Sequence, residues 1–362
     1  MSNRNDTVTP VTSATVGAAL ALALLSSLVT MVHAESTAGI LCNYDVSIYN
    51  TSSSVKAKST SKWTCDSTSR VLAANGLPDH KVGTFPNANN PNTISAQTVA
   101  ATFTLTPGLS GTTTQTGGPL GAGGYLLNGV KVDPSTAGTC TDDGVCDATG
   151  ATGGSWNIEA MPPSAFDFGT DINNAHVQPD GAYHYHGMPE GFVALQKEPG
   201  GIKAVKNFFY RLQKFIKIQK NQGITNYPLI IQRFLATLEK DTSMTLVGWA
   251  SDGFPMYARY GYSDASNASS RLKVLTGSYL LNATPDSGRP SVTTYAMGTF
   301  QQDWEYVAGS GDLDECNGRT GVTPEFPGGT YYYAITDSYP YIQRCVKGTV
   351  AGGGATPPPP AS

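Results

Sequence analysis

Residues 173–187 read NNAHVQPDGAYHYHG, and beyond residue 34 they hold three of the four histidines of the chain. Gln178-Pro179-Asp180-Gly181 is a turn signal, with Pro preset for the second place of a type I turn and Gly free to take the left-handed place after it. Tyr183, His184, Tyr185 and His186 then alternate and read as a strand. Successive strand side chains point to opposite faces, so His184 and His186 share one face, about 7 Å apart at their bases, while Tyr183 and Tyr185 share the other. The loop decides where the third histidine goes. A three-residue loop with a Gly bulge sets Gln178 against Ala182 and His176 against His184, and all three imidazoles converge. A two-residue loop instead sets His176 against Tyr183 and leaves the other two alone. Three neutral imidazoles on a rigid hairpin with a position left open suit a divalent transition metal, zinc or copper. The plain alternative is a tyrosine-rich strand whose histidines only hydrogen-bond.

On both sides of this hairpin, short apolar runs such as Ala101 to Leu105, Tyr125 to Val132 and Thr245 to Trp249 are separated by Gly, Pro, Asn and Asp clusters. This pattern predicts a mainly β fold of sandwich- or barrel-like sheets with long loops, stapled by disulfides, plus one inserted amphipathic helix region. The composition agrees. With 362 residues and 40% hydrophobic content the chain buries a large core, which excludes disorder as its main state. Gly 40 and Pro 23 without a collagen period mean many turns, and 18 Tyr favour strands. A net charge of −4 gives no electrostatic footprint for nucleic acid.

Val16 to Val32 is one apolar run followed by His33-Ala34-Glu35, and Val32 and Ala34 occupy the −3 and −1 places of a small-residue cleavage site, so residues 1–34 read as a secretory signal peptide. An uncleaved anchor is the rival, and no later stretch is apolar enough to span a membrane. Six cysteines fall into local pairs, Cys42 with Cys65, Cys140 with Cys146 and Cys316 with Cys345, in keeping with a secreted, extracellular protein. Asn50, Asn267 and Asn282 begin glycosylation sequons. Residues 35–66 read as a disulfide-closed strand pair, 67–348 as the main domain, and 349–362 as a disordered Gly/Pro tail. Within the main domain, residues 197–240 carry Val205, Phe208, Phe209, Leu212, Phe215 and Ile216 at helical spacing. That window has nine Lys or Arg against two Glu, which marks it as an insertion; its basic helix at 203–220 either touches an anionic membrane or a partner or packs on the domain by its Phe face, and a stretch wrongly included in the sequence is the third reading.

The fourth histidine, His80, sits in the turn-rich segment GLPDHKVGTFP and is a candidate fourth ligand or proton carrier. Asp252 lies in GWASDGFPMY, and Asp314, Glu315 and Asn317 lie in DLDECNGR beside a cysteine. Carboxylates held by a cross-link suit the orientation of a histidine or the activation of water, although Asp-Gly and Asn-Gly are also ordinary turns. Asp142, Asp143 and Asp147 match no calcium loop well.

The segments WNIEAMPPSAFDFGTDINNAHVQPDGAYHYHGMPEGF, GWASDGFPMYARYGY and DLDECNGR…TPEFPGGTYYYAITDSYPYIQRC, in that order, resemble the YHYH domain family of secreted proteins over most of residues 70 to 346. The resemblance raises His80, His176, His184, His186, Asp252, Asp314, Glu315 and Asn317 as functional candidates and leaves the reaction open. Many relatives carry a second histidine-bearing segment where this chain has Tyr331-Tyr332-Tyr333-Ala334, and relatives pass more directly from the YHYH strand to GWASDGFP. The first functional expectation is a metal-dependent hydrolase acting on an unknown extracellular substrate, in which the metal lowers the pKa of water and Asp314 or Glu315 takes its proton. No H-E-x-x-H signature is present. The alternative is a non-catalytic extracellular metal-binding or adhesion protein. Copper redox chemistry through Tyr183 or Tyr185 comes third, because those side chains face away from the histidines.

Overall fold

Strand Ala57–Cys65 alternates small polar and aromatic residues inward, with Ser59, Ser61 and Trp63 buried and Lys58 and Lys62 exposed. It pairs antiparallel with Asp45–Asn50 on one side and Ser69–Ala74 on the other, and Val99–Thr104 completes a four-stranded sheet. The buried hydroxyls are satisfied by neighbouring backbone, as buried polar groups require. Ser59 donates to the Leu77 carbonyl at 2.6 Å, and Ser61 and the Trp63 indole both donate to the Leu127 carbonyl at 2.7 and 2.9 Å. These bonds seat the four-stranded sheet on the loop that bears His80 and on a turn of the central sheet.

This is the computed structural model of the protein, and it describes residues 41–117, 121–161, 166–197 and 243–350. The expected signal peptide at 1–34, the expected insertion at 197–240 beyond Lys197, with its basic helix 203–220, and the expected tail at 349–362 beyond residue 350 lie outside the described residues.

The central sheet has eight strands, in the spatial order Ala175–Val177, Tyr183–Tyr185, Lys131–Val132, Gly124–Leu126, Thr245–Ala250, Pro255–Ala258, Thr330–Ile335 and Gly318–Gly321. Two of its pairings are parallel, Tyr183–Tyr185 with Lys131–Val132 and Pro255–Ala258 with Thr330–Ile335. Strands Tyr183–Tyr185, Pro255–Ala258 and most of Thr330–Ile335 are buried on both faces, which explains their unbroken aromatic and apolar content. Tyr183, Tyr185, Tyr257, Tyr332, Tyr333, Trp63 and Trp249 are among the largest fully enclosed side chains.

Strand accounts for 35% and helix for 5%, so the chain is mainly β, in several sheets. Of the two architectures expected, a closed barrel does not form among the described strands. The hairpin strand Ala175–Val177 and the strand Gly318–Gly321 end the central sheet without pairing to each other. The α-helix Glu190–Lys197 follows the hairpin directly, its Gly191 N–H donating to the Asn173 side chain at 2.8 Å. The three cysteine pairs form as expected, Cys42 with Cys65, Cys140 with Cys146 and Cys316 with Cys345.

Candidate metal centre

Gln178 and Ala182 close the hairpin loop, with the Gln178 N–H bonded to the Ala182 carbonyl at 3.0 Å and the Gly181 N–H to the Gln178 carbonyl at 2.9 Å. Gly181 has φ 87°, and a Cβ there would lie 2.0 Å from Ser95 Oγ, so only glycine fits the bulge. The three-residue loop therefore holds. Its register pairs His176 with His184, Ala175 with Tyr185 and Val177 with Tyr183.

The rings of His176, His184 and His186 pack with centroids 4.6 to 4.7 Å apart in all three pairs. One nitrogen from each lies within 4.8 Å of the others, and among the described residues this is the group of His, Cys, Asp and Glu side chains placed to hold an ion. His176 Nε2 and His186 Nε2 are 3.0 Å apart. The opposite nitrogens face the backbone. His176 Nδ1 meets the Phe168 carbonyl at 2.9 Å and His184 Nδ1 the Ala182 carbonyl at 3.2 Å. A carbonyl can only accept, so these two rings carry a proton on Nδ1, and in the neutral ring each Nε2 keeps its lone pair, that of His176 facing His186. His186 Nδ1 is buried without a hydrogen bond of ordinary geometry, and the Asp133 backbone is the group beside it that favours the charged ring.

All three rings are nearly enclosed, at 8%, 2% and 3% exposure for His176, His184 and His186. Burial lowers the pKa of His176, and burial together with the neighbouring rings holds His184 and His186 well below the usual imidazole range. Lys131 pushes the same way on all three and Arg344 on His186. The result is three neutral imidazoles, the form that binds metal. Tautomers set by backbone acceptors are the arrangement that orients a ligating histidine.

The charges around the cluster come from residues that sequence reading did not single out. Lys131 is the parallel register partner of His184, and its ammonium lies 2.7 Å from Gln178 Oε1 and 3.6 Å from Asp133 Oδ2. Arg344 pairs with Glu159 at 2.7 Å and donates to the Pro134 carbonyl at 2.6 Å, while Tyr339 donates to the same carboxylate at 2.8 Å. Burial raises the Glu159 pKa, and Arg344 opposes the rise.

His80 is not part of the cluster. It lies against Tyr183 and Tyr185, on the face of the strand opposite the histidines, because strand alternation sends the phenols there. Its Nε2 is 2.6 Å from the Tyr185 hydroxyl and its Nδ1 is 2.9 Å from the Lys81 carbonyl. Asn128 donates to the same phenol at 3.0 Å and to Asp79 at 2.9 Å, completing a buried network.

The expected carboxylates also sit elsewhere. Asp252 is buried, accepting from Tyr333 at 2.6 Å and from the Gly348 N–H at 2.8 Å, and burial raises its pKa. Asp314 accepts from the Cys316 and Gly318 N–H groups at 3.0 Å, from Tyr331 and from Lys347, which also pairs with Glu315 at 2.9 Å. Asn317, at φ 58°, donates to the Ala334 carbonyl at 2.8 Å. The Tyr331 hydroxyl donates to Asp314 and the Tyr333 hydroxyl to Asp252. Strand Thr330–Ile335 lies five strand spacings from Tyr183–Tyr185, roughly 24 Å along the sheet. Among the described residues, none of Asp252, Asp314, Glu315 and Asn317 joins the histidine cluster or hydrogen-bonds to one of its rings, as a group taking a proton there would have to do directly or through one water. Asp142 accepts from Ser155 and Trp156 at 3.0 Å, and Asp147 from the Thr149 and Ala151 N–H groups, so these acids hold local turns.

No curated protein and no solved structure matches the chain. A family model described as YHYH protein matches residues 100–348, a span that contains the histidine hairpin and the tyrosine strand and leaves out His80. Since that span is well over half of the sequence, the chain belongs to the YHYH protein family.

Proposed function

We propose that this is a secreted protein whose hairpin holds a divalent transition metal, zinc or copper, through His176, His184 and His186, and that the centre does hydrolytic chemistry. The observation that carries the reading is the convergence of three imidazoles, two of which, His176 and His184, turn their Nδ1 to a backbone carbonyl. Three protein ligands with no fourth His, Cys, Asp or Glu in the described cluster is the count of a catalytic site, where structural sites use four. An ion bound by three imidazoles acts as a Lewis acid and makes water acidic near neutral pH.

The residues around the rings have their own tasks. Lys131, positioned by Gln178 and Asp133, adds to the burial that disfavours the charged imidazoles and offers a cation to an anionic part of a substrate. Three disulfides fit an oxidising, extracellular setting. The low exposure of the rings supports a second reading, a non-catalytic metal-binding or adhesion protein, in which the ion staples the hairpin.

Metal analysis of the secreted protein, followed by titration of the chelator-treated protein with zinc and with copper, tests both. The expected result is one ion per chain for the native protein and loss of binding in His184→Ala. Native protein that takes up neither ion overturns the hydrolytic and the non-catalytic metal reading together.

A further inference from the structure

We infer that Asn267 is an N-glycan acceptor, and that the fold closes the sequon at Asn50. Asn50 and Asn267 build the same local turn. In each, Oδ1 accepts the N–H of the residue two places on, Ser52 at 2.9 Å and Ser269 at 2.9 Å. They differ in where the amide nitrogen points.

Asn50 is 4% exposed, and its Nδ2 donates to the carbonyls of Pro78 at 2.8 Å and His80 at 2.6 Å. Both amide hydrogens are thus spent inside the protein, tying the end of a strand to the loop that bears His80. Asn267 is exposed, in the loop between strands Tyr260–Tyr262 and Leu272–Val274. Its backbone is fixed on both sides, the N–H donating to the Asp264 carbonyl at 3.1 Å and the carbonyl accepting from Ser270 at 3.0 Å. Its Nδ2 has no partner among the described residues, and Ser269, which supplies the sequon hydroxyl, is exposed beside it.

Glycan transfer forms a bond between Nδ2 and the anomeric carbon of a lipid-diphosphate-linked oligosaccharide. It breaks the sugar–phosphate bond of that donor and releases one amide proton. One hydrogen stays on Nδ2. At Asn267 the exchange costs no contact and the sugar extends into water. At Asn50 it removes one of two buried hydrogen bonds and demands room for a sugar where the loop closes, so a chain modified there does not reach this fold. Asn282 is intermediate, since its Nδ2 gives one hydrogen to the Gln302 carbonyl at 3.0 Å and keeps the other.

The test is expression of the full chain behind a host leader in a eukaryotic secretory host, with site-resolved peptide mass mapping of the folded protein from medium and secretory compartments. Asn267 is expected to carry a glycan and Asn50 to be bare. Asn267→Gln and Ser269→Ala each remove that glycan. Asn50→Gln leaves the pattern unchanged and lowers the melting temperature. A bare Asn267, or a glycan on Asn50 in folded protein, overturns the inference.

Discussion

Tyr185 stands between two of the clustered histidines in sequence and points away from both. Its phenol meets His80 Nε2 at 2.6 Å and Asn128 Nδ2 at 3.0 Å. Since His80 Nδ1 must donate to the Lys81 carbonyl, Nε2 is an acceptor and the phenol gives its proton to it. Both hydrogens of Asn128 are used as well, the second on Asp79. The phenol is therefore pinned by groups that have no other use for those atoms, and the backbone that carries His184 and His186 is pinned with it. Replacing Tyr185 by Phe removes only the hydroxyl and leaves an acceptor and a donor unpaired in the interior. The expected cost is about 1–3 kcal/mol of stability in urea unfolding. On the metal reading, freeing the strand backbone that carries His184 and His186 is expected to weaken zinc binding. Affinity equal to that of the native protein, measured where the variant is fully folded, would show that the phenol serves packing alone.

The hairpin was the element most legible in the sequence, because everything that shapes it is local. Pro179 and Gly181 set the loop, and alternation from Tyr183 to His186 sets the faces. What surrounds it was not legible. Lys131 reaches His184 through a parallel pairing, Arg344 arrives from the far end of the chain, and neither leaves a local pattern. The same limit misplaced His80, whose loop is seated by Asn50 and Ser59 from another sheet. One consequence belongs to the hairpin as a unit. His184 and His186 are held well below the ordinary value near 6.5 and His176 is also lowered, with burial the first cause in each. In the unfolded chain the same rings titrate normally, so below about pH 6.5 the unfolded state binds more protons. Stability of the metal-free protein is therefore full above that pH and falls as pH falls toward the depressed folded values. Each ring contributes roughly 1.4 kcal/mol per pH unit across its window. Urea unfolding of chelator-treated protein from pH 7.5 to 5 measures the slope, and His184→Gln is expected to remove one ring's share. A flat profile over that span would mean the rings accept protons in the folded protein.

Across the whole molecule, the central sheet keeps two polar assemblies apart. The histidine cluster lies at the edge formed by Ala175–Val177 and Tyr183–Tyr185. Asp314, Glu315, Lys347 and Tyr331 gather near the other edge, beside the Cys316–Cys345 disulfide. Strand Cys345–Gly348 pairs with Leu109–Gln115 in a sheet of its own, so this disulfide ties that small sheet to the edge of the large one. The loop it closes spans a sequence separation of 29, for which loop-closure entropy gives a stabilisation of about 3–4 kcal/mol. Changing both cysteines to serine is expected to lower stability by that amount in denaturant titration. Among the described residues no hydrogen bond or ion pair joins Asp314, Glu315, Lys347 or Tyr331 to the three histidines, so zinc or copper affinity of the folded Asp314→Asn protein is expected to match that of the native protein. Had Asp314 served as the proton acceptor of the histidine centre, its removal would alter the pH dependence of metal uptake there. A shift in that profile on Asp314→Asn would show that the two assemblies are joined, whereas an unchanged profile with lowered stability assigns the carboxylates to holding the disulfide edge of the sheet.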